Sequence, residues 1–478
     1  MAFRKPSEST VDTSTPSDRP RLESLDKWRS DDELLGSDAD HMARATTKGS
    51  FRKPKAKLRI CVAGGGNGGH VMAGLFASKG HDVSLLVSAA PHVDKWLSGI
   101  ESGGVTVHYV EGDRKVKGTP TTATHNPADV VPYVDLVIIV IPAKYHQPMI
   151  EAMAPHFRPG QWVCAVEGAW WGVPPSVFGP NAQQLVFAEI QCLPWACRAT
   201  EYGRCVEVLE EKDGVEIAVS PSSEGREVAR ILQQLMDIPF EPHGSLLAMA
   251  LSAPCNWVHP AVMYGHFAEW DGKPFARSKV PLFYKDITQD TADMLERLDD
   301  EYQQLRHALE QRCPLLDLSA IKTTRESSIE YYHGKITDES TTLSCIKTNP
   351  GYDTLTSPVV DVGDGMVVPN FDYRYLNSDL PYGLVVTRGV AQLVGVSMPT
   401  VDFLIRWGQG KLGKEWLVGD KLCGRDLCET RAPQAFGCRS FDDLLQMCVP
   451  DIHSRMGTLG ERRMSEVIED DQPCVCSV

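Results

Sequence analysis

Residues 58–70, Leu-Arg-Ile-Cys-Val-Ala-Gly-Gly-Gly-Asn-Gly-Gly-His, have the composition of a phosphate-binding turn. The apolar run Ile60–Ala63 precedes three glycines in the spacing G-x-G-x-x-G, namely Gly64, Gly66 and Gly69. In a strand–turn–helix unit these glycines permit a tight turn, backbone approach to a pyrophosphate, and close packing of helix on strand. The positive end of the helix then faces the phosphates. A merely flexible turn is the alternative, but the apolar strand before the glycines and the helix-forming stretch 71–79 favour a dinucleotide site.

The end of the second predicted strand bears on the choice of cofactor. NAD sites usually place Asp or Glu there to hold the ribose hydroxyls, whereas this chain has Ser88. Ser88 carries no charge that would repel a 2′-phosphate, and Lys95 follows it along the chain. The cofactor is therefore expected to be NAD or NADP, and NADP is expected to be tolerated; the alternative is that neither residue touches the cofactor. The predicted cofactor-binding residues are Gly64, Gly66, Asn67, Gly68, Gly69 and Ser88.

Three further segments carry side chains suited to catalysis or substrate binding. Asn256-Trp-Val-His-Pro260 places His259 in an apolar setting, and Arg374 stands five residues before Asp379. Leu193-Pro-Trp-Ala-Cys-Arg198 follows a predicted strand. Taken singly, each segment has an ordinary structural interpretation: a packed core histidine, an ion pair, and a turn with a buried thiol.

The elements that must position these residues divide the chain into two domains. From residue 58 to 236, apolar strands alternate with helical segments, as is typical of a parallel sheet. The predicted strands are Arg59–Ala63, Asp82–Val87, Val105–Tyr109, Asp135–Ile141, Trp162–Val166 and Leu185–Glu189. Val206–Leu209 and Glu216–Val219 flank Lys212-Asp-Gly214, which predicts a hairpin. Ser223–Met236 is predicted to be the closing helix.

Residues 237–440 are predicted to form an α-helical second domain. Thr288–Arg312 has apolar residues at helical spacing, and Val390–Arg406 is expected to be a helix interrupted by Pro399. Ligands should bind between this domain and the carboxyl ends of the sheet strands. Residues 1–57 and 441–478 are polar and charged and are expected to be disordered tails.

Composition narrows the classes of function. The formal net charge of −15 argues against general binding of nucleic acid or anionic membranes. The amino-terminal segment has no apolar core like that of a signal peptide, so the 14 cysteines are expected to be reduced thiols of a cytoplasmic protein. The expected partners are small-molecule substrates, the expected state is a monomer or homodimer, and no metal site is predicted.

Taken together and in order, four motifs resemble those of the octopine/opine dehydrogenase family (the NAD/NADP octopine/nopaline dehydrogenase type). They are the glycine loop Gly-Gly-Gly-Asn-Gly-Gly-His, Leu-Pro-Trp-Ala-Cys-Arg, Asn-x-x-His-Pro and Arg-x4-Asp. The resemblance covers residues 58 to about 420. It implies a Rossmann-type domain joined to an α-helical domain, and the reductive condensation of an α-keto acid with an amino acid, using NADH or NADPH.

The resemblance also implies roles for individual residues. His259, Arg374 and Asp379 correspond to the catalytic triad, with Arg374 binding a carboxylate and Asp379 orienting the imidazole and raising its pKa. Cys197 and the segment before it, including Gln191 and Cys192, correspond to residues that contact substrate. The thiol of Cys197 is a weak donor, which favours a wall over a nucleophile.

Two departures from the family pattern concern the choice of amino acid. Gln191-Cys192 stand where a threonine or an acid would be expected, and Tyr331-Tyr332 stand where an aromatic wall would be expected. Two other functions stay open. One is a two-domain 2-keto or 3-hydroxy acid dehydrogenase without an amine substrate. The other is an NAD(P)-binding redox sensor that has lost catalysis.

Overall fold

The computed structural model describes residues 57–167, 184–243, 245–314 and 316–448. The predicted amino-terminal tail lies outside the described residues except for residue 57. The folded body continues past residue 440, because residues 441–448 form a helix whose Leu444 and Leu445 are buried. The rest of the predicted carboxyl-terminal tail lies outside the described residues.

Seventeen strands occur in the described ranges. The first twelve are β1 Arg59–Ala63, β2 Asp82–Leu86, β3 Val105–Tyr109, β4 Arg114–Gly118, β5 Thr122–Thr124, β6 Leu136–Ile139, β7 Trp162–Val166, β8 Val186–Ile190, β9 Trp195–Glu201, β10 Cys205–Glu211, β11 Val215–Ser220 and β12 Phe240–His243. The other five are β13 Phe275–Ala276, β14 Val359–Gly363, β15 Met366–Pro369, β16 Leu417–Val418 and β17 Lys421–Leu422.

Thirteen α-helices occur in the same ranges. Those before residue 270 are α1 Asn67–Ser78, α2 Ala90–Glu101, α3 His146–Met153, α4 Gly225–Met236, α5 Leu246–Ser252 and α6 Cys255–Phe267. Those after it are α7 Gln289–Arg312, α8 Thr324–Tyr331, α9 Thr342–Lys347, α10 Arg374–Asn377, α11 Val385–Val394, α12 Pro399–Leu412 and α13 Phe441–Cys448.

The main sheet has eight strands in the order β12-β11-β8-β7-β6-β1-β2-β5. Every neighbouring pair is parallel except β8 and β11, which are antiparallel. The chain passes from β1 to β2 on one side and later to β6 on the other, so the strand order reverses beside β1. A ligand crevice opens at the carboxyl ends of the strands at such a point.

A second sheet of four strands, in the order β4-β3-β10-β9, corrects two expectations. The predicted strand Val105–Tyr109 exists but pairs with β4 and β10, outside the parallel sheet. The predicted hairpin at Lys212-Asp-Gly214 is wrong, because β10 belongs to this sheet and β11 to the main one. The hairpin instead joins β9 and β10 through Gly203, whose φ of +77° suits glycine.

The second domain is helical, as predicted, with two small sheets inserted. Helix α7 begins after Thr288, whose side chain accepts a hydrogen bond from the Thr291 N–H. Pro399 does not interrupt a helix but begins α12, where its missing N–H costs no hydrogen bond. Strand β12 still pairs with β11, so the main sheet runs beyond residue 236, the predicted domain boundary.

The helical stretch Leu246–Phe267 is long and apolar enough to cross a membrane by composition, but 83% of its most apolar window is buried inside the protein. It lies in a continuous hydrophobic core that also contains Val137 and Ile139 of β6 and Leu295 of α7. A helical stretch that is buried in this way belongs to the protein core. The stretch comprises α5 and α6, and α6 carries His259.

Candidate active site

The glycine turn has the geometry that a dinucleotide requires. Gly64 has a φ of +147°, and a Cβ atom there would collide with the carbonyl oxygen of Val140. A Cβ atom on Gly69 would collide with the carbonyl oxygen of Gly64, so these two positions need glycine for the close packing of α1 on the sheet. Gly66 differs, because nothing lies within 4 Å of a Cβ atom built there. The space in front of Gly66 fits a pyrophosphate at the start of α1.

His70 fixes this turn, and the sequence reasoning assigned it no role. Its Nδ1 lies 2.7 Å from the Gly66 carbonyl oxygen, and the Gly203 N–H donates to its Nε2 at 2.7 Å. Because Nε2 accepts, Nδ1 must carry the proton, so the ring is neutral. Burial lowers the pKa of His70, which favours this neutral form. The signal in the sequence for this role was a histidine directly after the glycine loop, at the start of the predicted helix.

Two other residues predicted to bind the cofactor, Asn67 and Ser88, have different surroundings. The Asn67 side-chain oxygen accepts a hydrogen bond from the Ala199 N–H at 3.0 Å, so it ties α1 to β9. Ser88 follows β2 and is exposed. The Lys95 ammonium lies 5.7 Å from the centre of the Tyr202 ring, near the glycine turn. Whether these side chains contact the cofactor stays a prediction.

His259 lies in α6 and is hydrogen-bonded through both ring nitrogens. Its Nδ1 lies 2.6 Å from Asp379 Oδ2, so the ring N–H donates to the carboxylate. Its Nε2 lies 2.8 Å from the Tyr284 hydroxyl, which therefore donates to that nitrogen. The ring of Tyr375 packs against the imidazole with centroids 4.0 Å apart. The fold thus joins a histidine and an aspartate from distant parts of the sequence.

The ionisation of His259 depends on burial as well as on Asp379. Burial lowers the pKa of His259, and this effect exceeds the rise caused by the hydrogen bond and charge of Asp379. The nearby positive charge of Arg374 lowers it further. Asp379 does raise the pKa of His259, as expected, but desolvation outweighs it and the net shift is downward. A neutral imidazole at pH 7 begins a reaction as a base.

Arg374 begins α10 with part of its side chain open to solvent, while its guanidinium packs 5.4 Å from the Tyr375 ring. Burial alone would lower the pKa of Arg374, but the negative charges of Glu167 and Asp379 hold it above its usual value. Among the described residues, no carboxylate comes close enough to Arg374 for an ion pair. The guanidinium is thus available for bidentate binding of a carboxylate from outside.

The three predicted substrate residues near β8 have different surroundings. Gln191 is buried, and its amide nitrogen donates to Glu216 and Ser252, both at 3.1 Å. Its carbonyl oxygen has no partner among the described residues. The Sγ of Cys192 accepts a hydrogen bond from the ammonium group of Lys212 at 2.7 Å.

Cys197 lies within strand β9 and not in a turn, because Leu193-Pro-Trp-Ala-Cys-Arg198 leads directly into that strand. Burial raises the pKa of Cys197 to about 12. Its thiol is therefore protonated at neutral pH, which fits the expected wall and excludes a resting thiolate.

Two further residues of the crevice were not found from the sequence. Tyr284 lies in a loop with no sequence pattern around it, so only the fold shows its bond to His259. Glu167 follows β7 with a φ of +54°, a strained conformation for a residue other than glycine. An acid directly after a buried strand was the available signal for Glu167.

Leu193 lies between the glycine turn and the predicted catalytic residues. A Cβ atom on Gly68 would lie 2.7 Å from the Leu193 side chain, and the Leu193 N–H points to Glu167 Oε1 at 3.4 Å. Glu167 in turn acts electrostatically on Arg374 and His259. Within the described ranges, no group of three or more histidine, cysteine or acidic side chains could hold a metal ion.

Comparison with known proteins covers both domains. Residues 242–412 match the family described as NAD/NADP octopine/nopaline dehydrogenase, alpha-helical domain. Residues 60–168 match the family described as ketopantoate reductase PanE/ApbA.

Full-length relatives extend these matches across the folded body. The chain is 36% identical over 397 residues to octopine dehydrogenase of Mizuhopecten yessoensis, which covers 81% of this chain and 98% of that protein. It is 34% identical over 396 residues to tauropine dehydrogenase of Arabella iricolor, which covers 81% and 99%.

Among solved structures, octopine dehydrogenase with NADH and L-arginine superposes with a TM-score of 0.74 at 34% identity, covering 81% of this chain and 98% of that one. The predicted fold class, an α/β Rossmann-type domain followed by an α-helical domain, is confirmed. The chain belongs to the octopine/opine dehydrogenase family of NAD(P)-dependent oxidoreductases.

Proposed function

We propose that this enzyme reductively condenses an α-keto acid of the pyruvate type with the amino group of an amino acid, giving an N-(1-carboxyalkyl) amino acid. The amine attacks the keto carbon to give a carbinolamine, which loses water to give an imine. When bound, NADH or NADPH would be held at the Gly64–Gly69 turn. It would supply the hydride that reduces the imine carbon. The relatives' names and the NADH and L-arginine in the octopine dehydrogenase structure support this reaction.

The observation that carries the proposal is the hydrogen bond from His259 to Asp379 at 2.6 Å. The amine must lose a proton before it attacks, and the departing hydroxyl must then gain one. A neutral His259 accepts the first proton at Nε2, the resulting imidazolium is stabilised by Asp379, and the same nitrogen returns the proton as water leaves. Because the Tyr284 hydroxyl occupies Nε2, it either relays this proton or moves aside.

Arg374 has a separate role in the proposal. A keto acid carries a carboxylate beside the reacting carbonyl, and a guanidinium without an ion-pair partner suits two parallel hydrogen bonds to it. Binding there would fix the keto carbon relative to the imidazole and so raise the rate by orientation.

A panel assay tests the reaction. Oxidation of NADH and of NADPH is followed with pyruvate, 2-oxobutyrate and glyoxylate, each with and without every common amino acid and taurine. Turnover that requires both a keto acid and an amine is the expected result. Turnover with the keto acid alone would indicate the direct reduction that the match to ketopantoate reductase suggests for residues 60–168. Cofactor binding without any turnover would indicate the redox sensor.

We further propose that the enzyme uses NAD or NADP, with NADP tolerated because Ser88 carries no negative charge. We propose that it acts in the cytoplasm, because all the cysteines whose side chains are described are free thiols. A monomer or homodimer is expected, and light scattering during gel filtration measures this state.

A further inference from the structure

Lys212 lies at the edge of the main sheet where the crevice opens. It follows β10, and its backbone N–H donates to the Pro194 carbonyl oxygen at 3.0 Å. Because β11 runs antiparallel to β8, the residues that enter β11 lie beside the carboxyl end of β8. Lys212 therefore shares this edge with Gln191 and Cys192, which directly follow β8.

The ammonium group of Lys212 lies between the two domains. It donates to Cys192 Sγ at 2.7 Å on the sheet side. On the helical side it lies 4.5 Å from the centre of the Tyr331 ring, at the end of α8. A cation over an aromatic face is stabilised, but the ring supplies no counter-charge.

No carboxylate among the described residues forms an ion pair with this ammonium group, although the charge of Glu167 acts on it from farther away. The glutamates on either side of the turn have other partners, since Glu210 pairs with Lys335 at 2.5 Å and Glu216 pairs with Lys322 at 2.8 Å. Burial raises the pKa of Cys192, so its thiol is neutral at pH 7. A partly buried ammonium without a counter-ion is costly, and an anion entering the crevice would stabilise it.

An aromatic wall connects Lys212 to the catalytic histidine. Tyr332 adjoins Tyr331 and packs edge-to-face on Tyr352, with centroids 5.5 Å apart. Tyr352 stacks on Tyr284 at 4.0 Å, and the Tyr284 hydroxyl reaches His259. The lysine and the histidine thus lie along one wall of the same crevice.

We propose that Lys212 binds the acidic group of the amine substrate, a carboxylate or a sulfonate. This inference rests on the proposed function, and it places one anionic group of the product at Arg374 and the other at Lys212. The two side chains that follow β8 beside Lys212, Gln191 and Cys192, are neutral, and Glu216 behind Gln191 is paired with Lys322. The amine partner is therefore an amino acid or amino sulfonic acid with an uncharged or acidic side chain, and a guanidinium side chain is repelled.

The test compares wild type, Lys212→Met, Lys212→Arg and the control Lys421→Met, an exposed lysine in β17. Initial rates are measured at saturating NADH and pyruvate against alanine, aspartate, β-alanine, taurine, arginine and agmatine. Loss of a charged hydrogen bond should raise the KM for the amine about 10- to 100-fold in Lys212→Met. The KM for pyruvate and the Kd for NADH should stay unchanged, and Lys212→Arg should recover much of the loss.

A charge reversal gives a second readout. Lys212→Glu should weaken binding of alanine, aspartate and taurine and improve the relative use of arginine and agmatine. Quenching of NADH fluorescence by each amine, without pyruvate, measures binding even if turnover is absent. If Lys212→Met fails to fold, as seen by thermal melting, Lys212→Gln replaces it.

The outcomes separate the two proposals. Absence of turnover with every keto acid and amine pair overturns the proposed reaction, and the binding data then decide the role of Lys212. An unchanged amine KM and Kd in Lys212→Met, a rise confined to the pyruvate KM, or a wild-type preference for arginine over alanine and taurine would overturn the inference.

Discussion

Asp379 Oδ2 lies 2.6 Å from His259 Nδ1, although 120 residues separate the two in sequence. The aspartate lies between α10 and a π-helical turn, Leu380–Leu384, and the histidine lies in a buried helix. This bond fixes the tautomer of His259, because Nδ1 must carry the proton and leave Nε2 as the acceptor. It also supplies the charge that opposes the effect of burial on that ring.

Replacement of His259 by alanine should remove the base while leaving the cofactor site intact. We expect NADH affinity to be retained and turnover to fall on the order of 10²–10⁴-fold, the usual contribution of general acid–base catalysis. His266→Ala is the matched control, because it removes a second histidine of α6, one that hydrogen-bonds the Phe283 carbonyl oxygen and not Asp379. Stopped-flow rates and fluorescence titration measure both quantities, and equal losses in the two variants would contradict the assignment.

Asp379→Asn should move the pH profile in a defined direction. Asp379 raises the pKa of His259 against the larger effect of burial, so loss of its charge should lower that pKa further. A neutral imidazole is needed as the base, so activity is lost as pH falls through this pKa. The acidic limb of kcat/KM should therefore shift to lower pH, together with a lower maximum rate. A shift to higher pH would contradict the proposed pairing.

Arg374→Ala should affect the keto acid more than the amine. Loss of a charge-assisted bidentate contact should raise the KM for pyruvate by roughly 10- to 100-fold, with lower turnover if orientation suffers. Arg374→Lys keeps the charge but not the planar fork, so it should restore little. Steady-state kinetics at varied pyruvate check this result. A larger effect on the amine KM would assign Arg374 to the other substrate.

Gly66→Val should abolish binding of NADH and NADPH without unfolding the protein. The backbone at Gly66 has a φ of −83°, which any residue adopts, and a Cβ atom there meets no protein atom within 4 Å. The side chain would instead occupy the space assigned to the pyrophosphate. Gly410→Val, at another open position, is the control. Equal cofactor affinity in both variants, measured by fluorescence, would remove the basis for a nucleotide site at this turn.

Asp299 should make folding stability depend on pH. Burial raises the pKa of Asp299 from 3.8 to about 7, despite hydrogen bonds from the Thr324 N–H and hydroxyl. Between these values the folded state holds a proton that the unfolded state has lost, so this group's contribution to stability falls as pH rises from about 4 to 7. Asp299→Asn should therefore gain stability relative to wild type with rising pH, on the order of a few kcal/mol across the window. Chemical denaturation at pH 5 and pH 8 measures the difference, and a constant difference would contradict it.

The sequence predicted what local patterns encode and missed what depends on distant packing. The glycine spacing and apolar runs identified β1, α1 and most parallel strands, because such patterns follow from helix and strand periodicity. The hairpin at Lys212 was wrong because a turn signal does not show that the two flanking strands join different sheets. The four motifs predicted the family, which no single residue would have done.

The candidate site likewise has residues that local patterns predict and residues that only the packing of distant segments brings into place. His259, Arg374 and Asp379 could be named from motifs, whereas the Tyr284 hydroxyl at His259 and the position of Glu167 depend on loops that the fold brings together. The effect of Asp379 on the pKa of His259 could be predicted from the charge of that partner. Burial, which no local pattern reports, decides the net result.

His70 gives the predicted cofactor site a sensitivity to acid that does not involve His259 or Asp379. One ring, in one tautomer, donates to the Gly66 carbonyl oxygen and accepts from the Gly203 N–H. A protonated ring has no acceptor left for Gly203, so the hairpin between β9 and β10 loses its hydrogen bond to this histidine and is held to α1 by Asn67. Protonation of His70 at low pH should therefore weaken dinucleotide binding, and saturating cofactor should oppose this loss because bound ligand holds the turn in its folded form.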